Sequence, residues 1–274
     1  MRHRPDRTVV HGAAGTGGAA GVVLAAGAGT RLRPLTCYRP KALCPVGGRL
    51  LVDHALDRLA ALCGTGPDHL AVNAHHLADQ VIGHCTGRAF ISVEEPKALG
   101  TAGALVALRP WLAGRDVLLT NADAYLPDGL SRLAAGWDGE RCRLLCRRVD
   151  VAAGEKADFH SAALTDDSAA LTDDGRPDDD VGRRTDIGLR YVGACLLPAG
   201  AVATLPAGVA GLYEVLWRAE HEAGRLEFAV MTADEVAVDC GTPDDYLLAD
   251  RLARARARGR GRSAATAQRR SGLP

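Results

Sequence analysis

The hydrophobic pattern opens with Val22-Val23-Leu24-Ala25-Ala26, a short apolar run that breaks into Gly27-Ala28-Gly29. A run of that length bounded by glycine is how a buried parallel strand reads, and the loop after it can aim bare backbone N–H groups at an anion. Leu51, Ala55, Leu56, Leu59 and Leu62 recur at helical spacing, which predicts a helix over Leu50 to Leu62. His69 to Val72 reads as a strand, Ala78 to His84 as a short helix and Phe90 to Val93 as a strand. Thr101 to Leu108 reads as a helix that Pro110 helps to stop, and Val117 to Thr120 as another strand. Leu130 to Ala135 suits a helix, Arg143 to Val149 a strand, Tyr191 to Leu197 a strand and Leu212 to Ala223 a helix. A last strand, Val236 to Val238, runs into Asp239-Cys240-Gly241-Thr242-Pro243. There Thr242 is a good N-cap, Pro243 fits the first helical position and Asp245 completes a capping-box pattern, so a helix follows to about Ala257. Alternating β and α segments of this kind predict a doubly wound α/β sheet.

Three stretches lack such a pattern. Residues 1–20 read as a flexible leader, residues 150–190 as an irregular excursion rich in Asp, Ala and Gly, and residues 258–274 as a basic, disordered tail. One α/β domain over 21–257 remains. The leader contains Gly12-Ala13-Ala14-Gly15-Thr16-Gly17, which resembles the glycine turn of a short-chain dehydrogenase. That turn needs a helix of about ten residues before the next parallel strand, and Val22 arrives too soon.

Composition narrows the classes further. With 274 residues and 47% hydrophobic content the chain can bury one substantial core. Lysines plus arginines and aspartates plus glutamates number 33 each, so no whole-molecule field recruits nucleic acid or a membrane. No apolar run approaches the roughly 20 residues of a membrane helix, and no signal-peptide pattern follows the N-terminus, which predicts a cytoplasmic protein. Eight cysteines are scattered without a Cys-x-x-Cys pair, so neither a zinc site nor a disulfide framework is implied and most should be buried, reduced thiols.

The candidate chemistry starts in the glycine loop. Gly27 and Gly29 permit positive φ and remove Cβ atoms that would keep a triphosphate from the main chain, while Arg31 and Lys41 add charge where a pyrophosphate would lie. The string is not a Walker A loop, and Leu32 stands where a dinucleotide fingerprint wants a small residue. Asp123 and Asp239 each stand at the carboxyl end of a predicted strand, where ligand crevices of open parallel sheets lie. Two such carboxylates across one cleft suit Mg²⁺, which takes one or two carboxylates together with water and phosphate oxygens.

Gly27-Ala28-Gly29-Thr30-Arg31-Leu32 with Pro34, Thr36 and Pro40-Lys41 resembles the signature of the sugar-1-phosphate nucleotidylyltransferases, which make NDP-sugars from an NTP and a sugar 1-phosphate. Asn121-Ala122-Asp123 and Asp239-Cys240-Gly241-Thr242 resemble that family's two metal-binding segments. The likeness spans roughly residues 22–250. It implies a Rossmann-like doubly wound sheet, mixed but mostly parallel, of the nucleotide-diphospho-sugar transferase type. It also implies a nucleotide site at Ala26, Gly27, Ala28, Gly29 and Thr30, catalytic cations Arg31 and Lys41, and Mg²⁺ on Asp123 and Asp239. Gly27 to Thr30 would hold the β and γ phosphates, Arg31 would stabilise departing pyrophosphate, and Lys41 would act between the α-phosphate and the sugar phosphate.

Glu94-Glu95-Pro96-Lys97-Ala98-Leu99-Gly100-Thr101 resembles the base-reading segment of the mannose-1-phosphate guanylyltransferase and glucose-1-phosphate thymidylyltransferase type, with Gly100 and Thr101 close to the nucleotide. Glu95 falls where a base contact is expected, and a carboxylate accepts hydrogen bonds only, which favours the paired N–H donors of guanine and hence GTP. The acceptor side departs from the family: its usual Glu-Lys-Pro string is replaced by Gly175-Arg176-Pro177, leaving Lys156, Arg176, Arg183 or Arg184 to grip the sugar phosphate. Two alternatives stay open, a cytidylyl- or uridylyltransferase acting on a non-hexose phosphate and a catalytically weak nucleotide-sugar-binding regulatory relative. Family members often associate, so a homo-oligomer is compatible, and the lack of a β-helix extension implies no acetyltransferase activity.

Overall fold

Apolar alternation along the strands sorts the core into two layers on either side of one sheet. The structure, a computed structural model, describes residues 18–160 and 187–270, with the side chains of the last helix described to residue 259. The leader residues 1–17, including the dehydrogenase-like glycine string, and residues 161–186 and 271–274 lie outside the described residues.

The central sheet is eight-stranded. Its strands are β1 (Ala20–Leu24), β4 (Leu70–Ala74), β5 (Phe90–Val93), β6 (Val117–Asn121), β8 (Arg143–Asp150), β10 (Ile187–Leu197) and β11 (Glu227–Val230), in the order β11-β8-β10-β6-β1-β4-β5, with β9 (Phe159–His160) on β10. β1 pairs in parallel with β4 and β6, β4 with β5, and β8 with β11, whereas β10 runs antiparallel to β6 and β8. The sheet is therefore mixed and mostly parallel, as the motif pattern implies. Two short ladders stand apart from it: β2 (Pro45–Val46) with β3 (Arg49–Leu50), and β7 (Ala124–Tyr125) with β12 (Val238–Asp239).

Adjacent residues of one strand feed opposite layers, Val22 and Val23 being an example. Val23, Val72 and Leu118 pack with α1 (Leu51–Cys63), α2 (Ala78–Cys85) and α4 (Leu130–Ala134). Val22, Val117 and Leu119 pack with α3 (Gly100–Leu112), α5 (Ala199–Thr204) and Trp217. Both layers are fully buried at their centres, the arrangement that parallel strands require.

Several boundaries differ from expectation. β1 already includes Ala20, so the leader reaches at most to residue 19. Pro110 does not stop α3, which continues to Leu112. Pro110 forgoes its own bond to the carbonyl four residues back, and Leu112, buried beyond it, keeps the last turn packed. Leu212 to Ala223 forms a π-helical turn, Tyr213–Trp217, followed by α6 (Arg218–Glu222). β11 is not expected from the sequence, because its four residues, Glu227–Val230, carry no distinct period. The last helix, α7 (Pro243–Arg270), runs well beyond Ala257, so the expected disordered tail is helical through 270. Arg and Ala are both strong helix formers, which accounts for the continuation. Its start is as predicted: Asp245 N donates to Thr242 Oγ1 at 3.2 Å, and the Thr242 hydroxyl donates to Asp245 Oδ2 at 2.6 Å.

Candidate active site

The loop after β1 turns at Gly29, whose φ of +59° is the left-handed conformation that glycine adopts without penalty. A Cβ there would come within 2.9 Å of Thr36 Cγ2 and 3.1 Å of Lys41 Cβ. Thr36 closes the turn by donating its hydroxyl to the Gly29 carbonyl at 2.8 Å. Gly27 differs from the expectation, because its φ is not positive and no atom lies within 4 Å of where its Cβ would stand. What glycine provides at that position is open space.

Thr30–Leu32 and Lys41–Leu43 are single 3₁₀ turns, and they carry Arg31 and Lys41 into the same cleft. Lys41 is buried, only 8% of its side chain being exposed, and Nζ donates to Asp123 Oδ2 at 2.6 Å. The same ammonium lies 3.6 Å from Asp239 Oδ1, and Arg31 reaches Asp239 Oδ2 at 3.9 Å. Two cations and two carboxylates from four separate segments thus form one cluster.

The two aspartates meet for a reason the strand pattern did not disclose. Val238–Asp239 leaves the central sheet and pairs antiparallel with Ala124–Tyr125, placing Asp239 opposite Ala124, and Cys240 N donates to the Asp123 carbonyl at 2.9 Å. Partial desolvation, followed by the like charge of Asp123, pushes the Asp239 carboxyl above its usual value, while Lys41 and Arg31 pull it back. Its side chain remains 66% open to water, which weakens the desolvation part. Gly241 belongs to the same device, because a Cβ there would stand 2.5 Å from Arg31 Nη2.

The cleft has two lobes that share Leu24, Gly27 and Asp123. The charged lobe, about 200 Å³, adds Gly29, Thr30, Arg31, Lys41 and Gly241. The other, about 250 Å³ and more apolar, is walled by Ala26, Asn73, Glu94, Ala98, Gly100 and Thr101. Polyphosphate suits the first and a nucleoside the second. Ala28 lines neither lobe.

Glu95, the expected base contact, is exposed and lines neither lobe, whereas its neighbour Glu94 is buried and faces the second one. Asn73 Nδ2 donates to Glu94 Oε1 at 2.7 Å and Leu99 N donates to Oε2 at 2.7 Å. Ala25 N donates to Asn73 Oδ1 at 2.6 Å, which fixes the orientation of that amide. The Asn73–Glu94 pair was missed from sequence; a buried Asn within an apolar strand was the available signal. Among the proposed acceptor cations, Lys156 is exposed, and Arg176, Arg183 and Arg184 lie outside the described residues.

The thiols follow the expectation: Cys37 is exposed, the other seven cysteines are buried, and all are free. Burial pushes Cys63 and Cys142 up to about 12. Among the described residues no helix is long and apolar enough to cross a membrane.

Known proteins share this architecture. N-acetylmuramate alpha-1-phosphate uridylyltransferase of Caulobacter vibrioides is 39% identical over 132 residues, which cover 44% of this chain and 53% of that protein. The bifunctional protein GlmU of Pseudarthrobacter chlorophenolicus is 34% identical over 238 residues, covering 82% of this chain and 47% of that one. The chain spans about half the length of these curated relatives. A crystal structure from Bacillus anthracis, described as a "putative glucose-1-phosphate thymidylyltransferase" in complex with sucrose, superposes with a TM-score of 0.61 at 19% identity, covering 86% of this chain and 95% of that one. That likeness supports the fold. The model of the MobA-like NTP transferase domain matches residues 21–186, more than half of the sequence, and the chain belongs to that family.

Proposed function

We propose that the chain transfers a nucleotidyl group from an NTP to a sugar 1-phosphate, forming an NDP-sugar and pyrophosphate. The observation that carries this reading is the single Lys41 ammonium held between Asp123 and Asp239, with Arg31 alongside, at the mouth of the glycine loop. A phosphate oxygen of the sugar 1-phosphate attacks the α-phosphorus, and the bond from that phosphorus to the oxygen bridging to the β-phosphate breaks. The nucleophile is already an anion, so the protein supplies alignment and charge neutralisation and needs no general base.

Each residue then has a task set by its place. The Gly27 to Thr30 backbone cradles the β and γ phosphates, and Arg31 neutralises the departing pyrophosphate. Lys41 lies deeper, beside Asp123, where it can exchange a carboxylate for the α-phosphate and the incoming sugar phosphate. The donor set is compatible with Mg²⁺: two carboxylates meet at one ammonium, and water and phosphate oxygens would complete the shell of an ion held there. Asp123 and Asp239 would hold the ion, which when bound supplies Lewis-acid polarisation of the phosphates.

Glu94, with both oxygens already anchored, lines the nucleoside lobe, and a carboxylate acceptor there calls for a base edge carrying N–H donors. Guanine offers paired donors and uracil one. That count favours GTP, as the paired donors of guanine do for any carboxylate, and the uridylyltransferase relative supports UTP. Pyrophosphate release from a panel of NTPs crossed with sugar 1-phosphates, with and without Mg²⁺, tests the proposal. Turnover with at least one pair, dependent on the metal, is expected; nucleotide binding without release from any pair refutes it.

A further inference from the structure

Arg58 stands on the α1 face that packs toward the end of β6, half-buried, with its guanidinium turned toward the segment that carries Asp123. Nη2 donates to the Asn121 carbonyl at 2.8 Å and to Thr120 Oγ1 at 2.8 Å, Nε donates to the same hydroxyl at 3.2 Å, and Nη1 donates to the Ala124 carbonyl at 2.9 Å. These acceptors flank Ala122-Asp123 on both sides. The Thr120 hydroxyl, accepting from Arg58, spends its own proton on the Gly193 carbonyl of β10 at 3.1 Å. One side chain therefore ties α1 to the end of β6, to β7 and, through Thr120, to β10.

We infer that Arg58 is a positioning residue, which fixes the backbone of the 120–124 turn so that the Asp123 carboxylate faces Lys41 and the phosphate lobe. This inference rests on the nucleotidyl-transfer reading for its kinetic consequence, although its structural consequence does not. Three features support the role beyond packing. The contacts are four directional hydrogen bonds to three consecutive-to-near residues of one turn, the geometry that a planar guanidinium fork provides and an ammonium does not. Asn121 ends β6 and Ala124 begins β7, so the two carbonyls that Arg58 holds bracket Ala122 and Asp123, which belong to neither strand. Desolvation lowers the guanidinium to about 10, with Asp123 the first charge opposing that shift, so Arg58 remains a cation behind the carboxylate at neutral pH.

Arg58→Met keeps the apolar stem and removes all four bonds, while Arg58→Lys keeps the charge without the fork. Asp53→Asn serves as the control, because Asp53 is on the same helix but bonds to His84 and Arg88, away from the cleft. Two measurements are made on the full chain: amide hydrogen exchange of peptides spanning residues 120–125, and steady-state kinetics with Mn²⁺ as the divalent probe. Loss of a residue that orients a metal-holding carboxylate should cost about 10- to 100-fold in kcat and raise half-saturating Mn²⁺ by a similar factor. The KM for NTP should stay within about threefold, since the glycine loop is untouched. Arg58→Lys should fall between wild type and Arg58→Met. Exchange should rise in the 120–125 peptides and stay unchanged in β4 peptides, whereas Asp53→Asn should lower the melting temperature with none of these effects. Unchanged exchange at 120–125 in Arg58→Met overturns the inference whether or not the enzyme turns over, and a kcat loss matched by Asp53→Asn overturns it too. A wild-type chain that releases no pyrophosphate instead refutes the function proposed above and leaves the exchange result to decide the role of Arg58.

Discussion

Replacing Lys41 by Met separates the two tasks assigned to its ammonium. The stem is similar in length and apolar, so packing is nearly conserved and the change is one of charge. Nζ lies 2.6 Å from Asp123 Oδ2 and 3.6 Å from Asp239 Oδ1. At an effective dielectric of about 20 those separations correspond to gross attractions of about 6 and about 5 kcal/mol. Desolvation of the buried lysine cancels much of this, and the penalty that remains is that of stranding two carboxylates beside each other. Asp123 and Asp239 side chains are 35% and 66% exposed, so water screens that repulsion. A net loss of about 1–2 kcal/mol, or about 2–8 °C in melting temperature for a chain of this size, is expected.

Catalysis should suffer more than stability. Losing a cation that stabilises transition-state charge costs on the order of 3 kcal/mol, or roughly a hundredfold in kcat. Removing the ammonium also frees both carboxylates for a divalent ion, so added Mg²⁺ should raise the melting temperature of Lys41→Met by more than that of wild type. Differential scanning fluorimetry with and without Mg²⁺, together with a pyrophosphate-release assay, reads both effects. Equal stabilisation of the two proteins by Mg²⁺, or a variant that retains wild-type kcat, would refute the view that Lys41 and the ion compete for the same carboxylates.

Gly241→Ala should place its new Cβ 2.5 Å from Arg31 Nη2. The guanidinium moves and the fold does not, so kcat should drop about 10- to 100-fold with melting unchanged; a normal kcat would show that the position of Arg31 is immaterial. Glu94→Gln must set an NH₂ against either the Asn73 or the Leu99 donor, and the KM for NTP should rise about tenfold or more while kcat changes little. An unaltered KM across the NTP panel would remove Glu94 from the nucleoside lobe. Burial alone would raise the Asp53 carboxyl, but hydrogen bonds from His84 and Arg88 outweigh it and hold the group below its ordinary value. A depressed carboxylate contributes stability that is complete above its unfolded value, about pH 4, and is lost as the pH falls through the folded one. Asp53→Asn should therefore cost about 1 kcal/mol at pH 7 and less as the pH falls below about 4; a loss independent of pH would contradict the pairing.

What the sequence disclosed was what short-range pattern can carry. The β1 run, the glycine turn at Gly29 and the Thr242 cap are each set by residues close to them in sequence, and each lies near its expected position. The meeting of Asp123 with Asp239 was anticipated, but its cause was not. Two-residue strands at Ala124–Tyr125 and Val238–Asp239 have no period to read, and only their pairing across more than a hundred residues closes the site. Glu94 and Glu95 differ by one position of strand parity. β5, with Phe90 and Val93 both exposed at its ends, shows no alternation that could tell which carboxylate turns inward. Arg58 is one of several polar residues on an amphipathic helix, and nothing local distinguishes a guanidinium that reaches a distant turn from one that faces water.

The electrostatics of the cleft bear on how substrate is admitted. Arg31, Lys41, Asp123 and Asp239 sum to no net charge, and the whole chain is likewise balanced at 33 basic and 33 acidic residues. A triphosphate is therefore not drawn in by a broad positive field; it must replace contacts that already exist. On the proposed reading, phosphates would engage Lys41 fully only by taking it from Asp123, and a carboxylate so released would be an oxygen ligand for a divalent cation. Each of the two ligands thus removes the obstacle to the other, and by linkage the coupling is reciprocal. Charge exchange of this kind favours a nucleotide arriving with its metal over either alone, and over other anions that bring no cation of their own.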